Sequence, residues 1–395
     1  MAGKLTLSRN VFSRPWSMKL FYLGYFSAMG VYLPYLGLYL GAVGLPGTQI
    51  GLIASMFPLA SMLMPPLWGV LSDHFGWRKQ LLIAALLAAV ITSLLIWQIT
   101  HIFVALFIFI IVLAIAISPT IPLADAITLQ WVGEHGGSYG SIRVYGSLGF
   151  LIAAIVAGSI LNVIGVTSLF LLLAIVFCGP LLTSFFVPGQ NKVSMARIKG
   201  HELVVLLRDR TLLLFIVLCM IGYGTFAAYN TFFGLYLKSL GVSTSAIGLA
   251  SGLASLSELP VMMLSGILMK RLGARWLLII GLSVAVVRWL AYATFTTYPI
   301  LFAFTLLHGI SFASFYVAAI TFIDQRVPIH MRTTGQTLFY GTSFGLGTWA
   351  STNLFGVLYE RLHGSGMYFV GAALCTASIV GLLLLIPRKP ARADL

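Results

Sequence analysis

Acidic side chains are almost missing from this sequence: nine Asp and Glu stand among 395 residues, and charged residues of both signs make up only 8%. A soluble globular domain carries about 25% charged residues, so that class is excluded. With 59% hydrophobic residues and a mean hydropathy of +1.02, the bilayer is the solvent for most of the chain. Cysteine is also scarce. Cys178, Cys219 and Cys375 are isolated in apolar surroundings, without metal-ligand spacing or an even count, so they read as small core residues and exclude a disulfide framework. Neither HExxH, a phosphate-cradling glycine loop, a Cys/His cluster nor a nucleophile with its base is found. A membrane-embedded enzyme or a sensor is therefore the weakest reading, and neither a cofactor nor a metal is expected.

What the chain does have is repetition at a spacing of 197 residues. Gly37-Leu38-Tyr39-Leu40, Gly44 and Ile50-Gly51-Leu52 recur as Gly234-Leu235-Tyr236-Leu237, Gly241 and Ile247-Gly248-Leu249; Gly69, Leu71, Gly76 and Arg78 recur as Gly266, Leu268, Gly273 and Arg275. Parallel repeats of a membrane unit build transporters whose substrate site lies between the halves near the bilayer midplane. Apolar stretches long enough to span, at roughly 20 residues each, fall at 18–43, 50–70, 80–99, 102–131, 140–162, 166–187, 212–237, 246–269, 276–294, 299–324, 334–359 and 366–387. These predict twelve helices, α1 to α12, in an all-α polytopic protein of two six-helix halves. The boundaries are 1–187 for the first half, 188–211 for a polar cytoplasmic linker and 212–395 for the second half with a short tail.

The net charge of +14 follows topology. With the N-terminus placed in the cytoplasm, 19 Lys and Arg fall on the cytoplasmic side and two, Lys238 and Arg361, on the other. That is the positive-inside asymmetry, so both termini are expected in the cytoplasm. The basic excess then reports topology and anionic membrane lipid rather than nucleic acid. The basic start followed by an apolar run resembles a signal peptide, but the run is too long for one and belongs to the repeat, so it is expected to be retained.

Four charges sit at membrane depth: Asp125 in α4, Arg143 in α5, Glu258 in α8 and Arg288 in α9. Each costs about 2.5–3.5 kcal/mol even on lenient insertion scales, so such residues face a cavity or bundle interior and have partners. Asp125 and Arg143 can approach across adjacent helices, either as part of a substrate site or as a structural ion pair. Glu258 and Arg288 are the matching pair of the second half. Glu258 is the better proton carrier, because the approach and withdrawal of a guanidinium or substrate can switch its protonation; Asp125 has the same chemistry. His308 in α10 suits substrate hydrogen bonding or proton relay, against the plainer reading of a bond to a neighbouring helix. Tyr32 and Tyr229, equivalent across the repeat, are candidates to line the cavity. Gly140, Gly146 and Gly149 in α5, with Gly341, Gly345 and Gly347 in α11, are read as packing residues.

The run Gly69-Val70-Leu71-Ser72-Asp73-His74-Phe75-Gly76-Trp77-Arg78-Lys79 resembles the helix 2–3 loop signature of the major facilitator superfamily, with a weaker copy at Gly266 to Arg275. The resemblance implies that Asp73 and Arg78 act in gating. Around α5, Tyr139-Gly140-Ser141-Ile142-Arg143-Val144-Tyr145-Gly146-Ser147-Leu148-Gly149-Phe150, preceded by Pro122-Leu123-Ala124-Asp125, is similar to the phenylpropionate permease branch, relatives of lactose permease. Ser257-Glu258, Val287-Arg288-Trp289 and Leu307-His308-Gly309 agree with that branch.

Lactose permease binds sugar through an acid and an arginine spaced as Asp125 and Arg143 are, and has a tryptophan where Phe150 stands. Its helix 9 arginine and helix 10 histidine are spaced as Arg288 and His308 are. Its helix 10 glutamate and lysine fall on Ser311 and Thr305, and in place of its helix 7 aspartates stand Tyr223, Tyr229 and Asn230. Glu258 is then the buried acid left to the second half.

The resemblance implies a monomeric multi-pass protein of a bacterial inner membrane that moves a small-molecule substrate by alternating access, with protons as the coupling ion. A proton-coupled importer of an aromatic carboxylate fits the two buried arginines, since a guanidinium binds a carboxylate through paired hydrogen bonds; a sugar or nucleoside is the other substrate reading. The competing function is an exporter of amphipathic compounds, which uses the same fold.

Overall fold

The computed structural model describes residues 14–99, 102–188 and 205–386, without the side chains of residues 14, 73, 330 and 333. Most of the expected linker and the outermost basic residues of both ends lie outside these. Among the described residues, nine helices are long and apolar enough to cross a membrane, and two of them double back. Helix Thr244–Thr294 departs from helical dihedrals at Gly273, and Thr348–Leu385 does so at His363. Ser257 and Arg288 would be about 46 Å apart along one straight helix, yet Ser257 bonds Gly309 and Arg288 bonds Ser311, two residues further on. Likewise the ring of Phe355 lies 3.7 Å from where a Cβ of Gly371 would stand.

With Arg14–Ala42 as the first pass, twelve helices result. α1 is Arg14–Ala42, and α2 is Gly47–Ala54 continued by Met56–Phe75. α3 is Arg78–Gln98, α4 is Phe103–Ile117 with Thr120–His135, α5 is Tyr139–Ile164 and α6 is Leu169–Ser184. α7 is Arg210–Gly224 with Phe226–Ser239; α8 and α9 are the two arms of Thr244–Thr294. α10 is Tyr298–Thr305 with His308–Arg326, and α11 runs from Arg332 through a π-helical segment, Tyr340–Gly347, to the bend at His363, where α12 begins. This is the expected all-α fold of two six-helix bundles.

The repeat is written into the backbone. Gly44 and Gly241 turn with φ of 85° and 81°, and Gly76 and Gly273 with φ of 68° and 72°, a left-handed region that side chains disfavour. On the face where α1 begins, called here the near face, Lys79 Nζ donates to the Phe185 carbonyl at 2.7 Å and Arg275 to the Leu383 carbonyl at 3.1 Å. Each cation satisfies a backbone acceptor that the end of α6 or α12 leaves open. One expectation fails outside the repeat: Cys178 is exposed on the outside of α6, while Cys219 and Cys375 are buried.

The bundles meet on the opposite, far face through small residues. A Cβ on Gly51 would stand 2.7 Å from the Thr352 carbonyl and 3.1 Å from the Gly356 Cα; one on Gly158 would stand 3.0 Å from the Gly248 Cα. These place α2 against α11 and α5 against α8 at backbone contact. The near-face hydrogen bonds of Lys79, Arg275 and Arg326 each stay within one bundle. The firmest is Arg326, whose Nε and Nη2 donate to both carboxylate oxygens of Asp209 at 2.9 and 3.1 Å.

Asp209 also accepts the Thr211 and Leu212 N–H groups as the N-cap of α7. Partial burial pushes its carboxyl pKa up, but the Arg326 and backbone hydrogen bonds outweigh that and hold it below the usual range. A depressed folded-state pKa stabilises above the unfolded value, near 3.9, and that contribution is lost as pH falls through the folded one. Asp209→Ala should cost about 1 kcal/mol of stability at pH 7 in detergent melting curves, and should remove the part of the wild-type loss that acidification below about pH 4 produces.

Candidate functional site

Between the bundles lies a cavity of about 480 Å³, within the range of small-molecule sites. Its wall is mostly aromatic, with Phe26, Phe57 and Phe150 from the first bundle facing Tyr223, Phe226 and Phe312 from the second. Of the expected site residues, Tyr32, Arg143, Phe150, Tyr229, Asn230, Glu258 and His308 line it. Asp125 and Arg288 do not.

Arg143 projects from α5 because its neighbours leave it room. Its guanidinium lies 3.9 Å from the Phe26 ring centroid and 5.6 Å from that of Tyr22. A Cβ at Gly146 would come within 2.7 Å of both Arg143 Nη1 and the Phe26 ring, so glycine at i+3 is what lets the side chain fold over the ring. Gly149 allows the Leu23 backbone of α1 against α5, whereas Gly140 meets nothing closer than Ser138 at 3.6 Å and is not a contact between helices. In α11, Gly345 sits against Met62 and Gly347 against Met220, as packing residues would; Gly341 is looser, 3.8 Å from Met62.

The expected ion pair of Asp125 with Arg143 is not made. Asp125 Oδ1 instead accepts the hydroxyls of Tyr22 at 2.6 Å and Tyr139 at 2.9 Å. Two short phenol bonds satisfy the carboxylate within α1, α4 and α5, and this leaves the guanidinium with ring faces and the cavity. Tyr22 carried no sequence signal, since nothing in its flanks distinguishes it from other α1 tyrosines. Tyr139 was visible only as the first residue of the α5 motif.

The second expected pair, Glu258 with Arg288, is also replaced. α10 breaks after Thr305 and restarts at His308, exposing new N–H groups, and the Ser257 hydroxyl of α8 accepts the one from Gly309 at 2.8 Å. The next residue on α8 and the one before on α10 are thereby brought together: His308 Nε2 lies 3.2 Å from Glu258 Oε1. His308 Nδ1 is buried without a protein partner, and the ring stacks on Tyr229 and Phe312.

Arg288 lies behind this pair, fully buried at 0% exposure. It donates to Ser311 Oγ at 2.8 Å and Tyr292 Oη at 3.4 Å and sits over the rings of Tyr229, Trp289 and Tyr292. Neutral hydroxyls and ring faces solvate this cation, and no ion pair forms with a described carboxylate. Of the two gating candidates, Arg78 is buried at the start of α3; the Asp73 side chain lies outside the description.

The MFS_1 like family profile matches residues 15–370. The chain is similar to a maltose permease of Geobacillus stearothermophilus, 30% identical over 93% of this chain and 92% of that one. It is also similar to a protein of Escherichia coli (strain K12) named "Probable 3-phenylpropionic acid transporter", 27% identical over 90% of this chain and 93% of that one. These relatives bear out the branch read from α5. In fold, the chain is similar to the crystal structure of nucleoside transporter NupG, with a TM-score of 0.86 at 19% identity over 96% of this chain and 100% of that one.

Because Ser311 supplies the shortest hydrogen bond to a buried cation, Ser311→Ala should destabilise the protein by about 1.5–3 kcal/mol. Thermal melting in detergent checks this. Solute affinity should stay unchanged, since Arg288 does not reach the cavity.

Proposed function

The chain belongs to the MFS_1 like family, and from that membership we propose a proton-coupled symporter that imports a small organic solute, an aromatic carboxylate ahead of a sugar or nucleoside, by alternating access. That it is a multi-pass secondary transporter rather than an enzyme follows from the family and the relatives. The observation that carries the finer reading is the Arg143 guanidinium, free of the acid expected beside it and facing an aromatic cavity. A carboxylate there can take paired charge-assisted hydrogen bonds while its ring stacks among Phe26, Phe57 and Phe150. Across the cavity, the Glu258 and His308 pair is placed to hold a proton at the carboxylate, with the imidazole as its hydrogen-bond partner. Proton carriage is assigned to Glu258 ahead of Asp125, because Glu258 lines the cavity and Asp125 is engaged by two phenols away from it.

The positive-inside asymmetry supports a cytoplasmic near face in a bacterial inner membrane. The division of the chain at 187 and 212 into two rocking bundles belongs to the same proposal, with Arg78 and Asp73 as near-face gating residues. The aromatic wall also suits an exporter of amphipathic compounds, and solute accumulation against depletion in whole cells separates the two.

The test is proton movement in lightly buffered proteoliposomes, with protein-free vesicles as the control for weak-acid permeation. Adding 3-phenylpropionate should alkalinise the medium, more than maltose or a nucleoside does. Glu258→Gln should abolish that signal and keep solute counterflow. Arg143→Ala should weaken the apparent affinity for the carboxylate at least tenfold, about the loss of one charge-assisted bond. Counterflow without proton movement in the wild type would make the protein a facilitator, and unchanged affinity in Arg143→Ala would remove the arginine from the site.

A further inference from the structure

Helix ends on the far face are satisfied across the bundle interface. α8 begins at Thr244, whose N–H donates to Asn162 Oδ1 at the end of α5, at 3.2 Å. α2 begins at Gly47, and the Thr48 N–H donates to Glu360 Oε2 at the end of α11, at 2.9 Å. The repeat relates these bonds: Asn162 and Thr244 correspond to positions 359 and 47, each one residue short of the pair used in the other seam.

The two caps differ in what stands beside them. Ser243 gives α8 a second cap by accepting the Ala246 N–H, whereas the ring of Pro46 offers α2 no hydrogen-bond acceptor. They also differ in charge, since Asn162 is neutral and Glu360 a carboxylate. An anion at a helix N-terminus meets the positive end of the macrodipole as well as an open N–H. Below it, Gly47 and Gly51 touch Gly356, and Asn353 Nδ2 donates to Ser55 Oγ at 2.9 Å, so the contact belongs to a seam that must part whenever the far face opens.

We propose that Glu360 is a positioning residue for transport, a charged catch on the N-terminus of α2 that holds the far-face gate closed. The inference rests on the alternating-access reading. Residues 42–52 on the α2 side carry no charge, and the charged and titratable groups at the far ends of the adjoining helices are Arg361 beside Glu360, His363 at the bend that follows, and Lys238 ending α7. No acid stands there to replace Glu360. Protonating it leaves a hydrogen-bond acceptor but removes the charge, so the catch weakens as the pH outside falls through the carboxyl range.

Spin labels at Ile102→Cys and Phe295→Cys, exposed far-face positions on opposite bundles, report the gate by pulsed distance measurement in nanodiscs, with exposed Cys178→Ala as background. Glu360→Gln keeps the size and the acceptor. It should raise the ratio of wide to narrow distances about two- to fivefold at pH 7, the range of a helix-terminus charge, and flatten the rise that the wild type shows between about pH 5 and pH 3, since the Thr48 hydrogen bond holds the Glu360 carboxyl below its ordinary range. Arg361→Gln alters the local charge without touching the cap and should leave the wild-type distribution. If Glu360→Gln matches wild type at both pH values, or Arg361→Gln shifts the distribution equally, Glu360 is not the catch. The distances are read without solute, so failure of proton coupling in the transport assay would leave this result standing.

Discussion

A charge inside a bilayer protein has to be solvated by protein groups, and the site is organised by how four such charges are met. Asp125 takes two phenol hydroxyls, Glu258 takes an imidazole, Arg288 takes hydroxyls and ring faces, and Arg143 takes a ring and the cavity. Neither Arg143 nor Arg288 is spent on a carboxylate among the described residues. Pairing each arginine with its acid would have cancelled the charges and left the cavity walls neutral. Separate solvation keeps a cation on one wall and an acid on the other, the arrangement that the proposed binding of an anion beside a proton requires.

That arrangement explains why the architecture was legible in the sequence and the pairing was not. The glycines at 44, 76, 241 and 273 declare themselves because the left-handed turns they make are hard for other residues, so the repeat in sequence is a repeat in backbone. The cavity residues were legible for a similar reason, since a polar group in an apolar run has few places to go. Partner choice depends on small displacements. The break after Thr305 lets α10 restart at His308 and sets that residue, not Arg288 of α9, against Glu258, and no periodicity encodes such a break. Tyr22 could not be singled out because a phenol is tolerated throughout a membrane helix, and only its position across from Asp125 gives it a task.

Replacements within the family pattern also make physical sense together. Where lactose permease has a glutamate and a lysine on helix 10, Ser311 and Thr305 stand here, and both serve the cation behind the cavity: Ser311 accepts from Arg288, and Thr305 bonds the Tyr292 hydroxyl that Arg288 also reaches. Losing one acid and one base keeps the net charge of the helix unchanged. It also leaves a neutral shell around one arginine, and in the proposed mechanism the acid function of this half falls to Glu258.

Under the proposed alternating access the bundle interface meets a second constraint, because a seam that opens and closes must be stable without being adhesive. Side chains that interlock across it would have to be pulled apart at each cycle, whereas glycine backbones in contact separate as smooth surfaces. Gly51 against Gly356 and Gly158 against Gly248 provide such surfaces. Contacts of this kind carry little energy apiece, and they favour no particular state once separated. Selectivity for the closed state has to come from a few directional bonds at the rim, and helix N-termini are suited to supply it because their N–H groups have no partner within the helix and water can take over when the capping group leaves. A seam of glycine below and trans-capped helix ends above is therefore easily parted and still closes in one register.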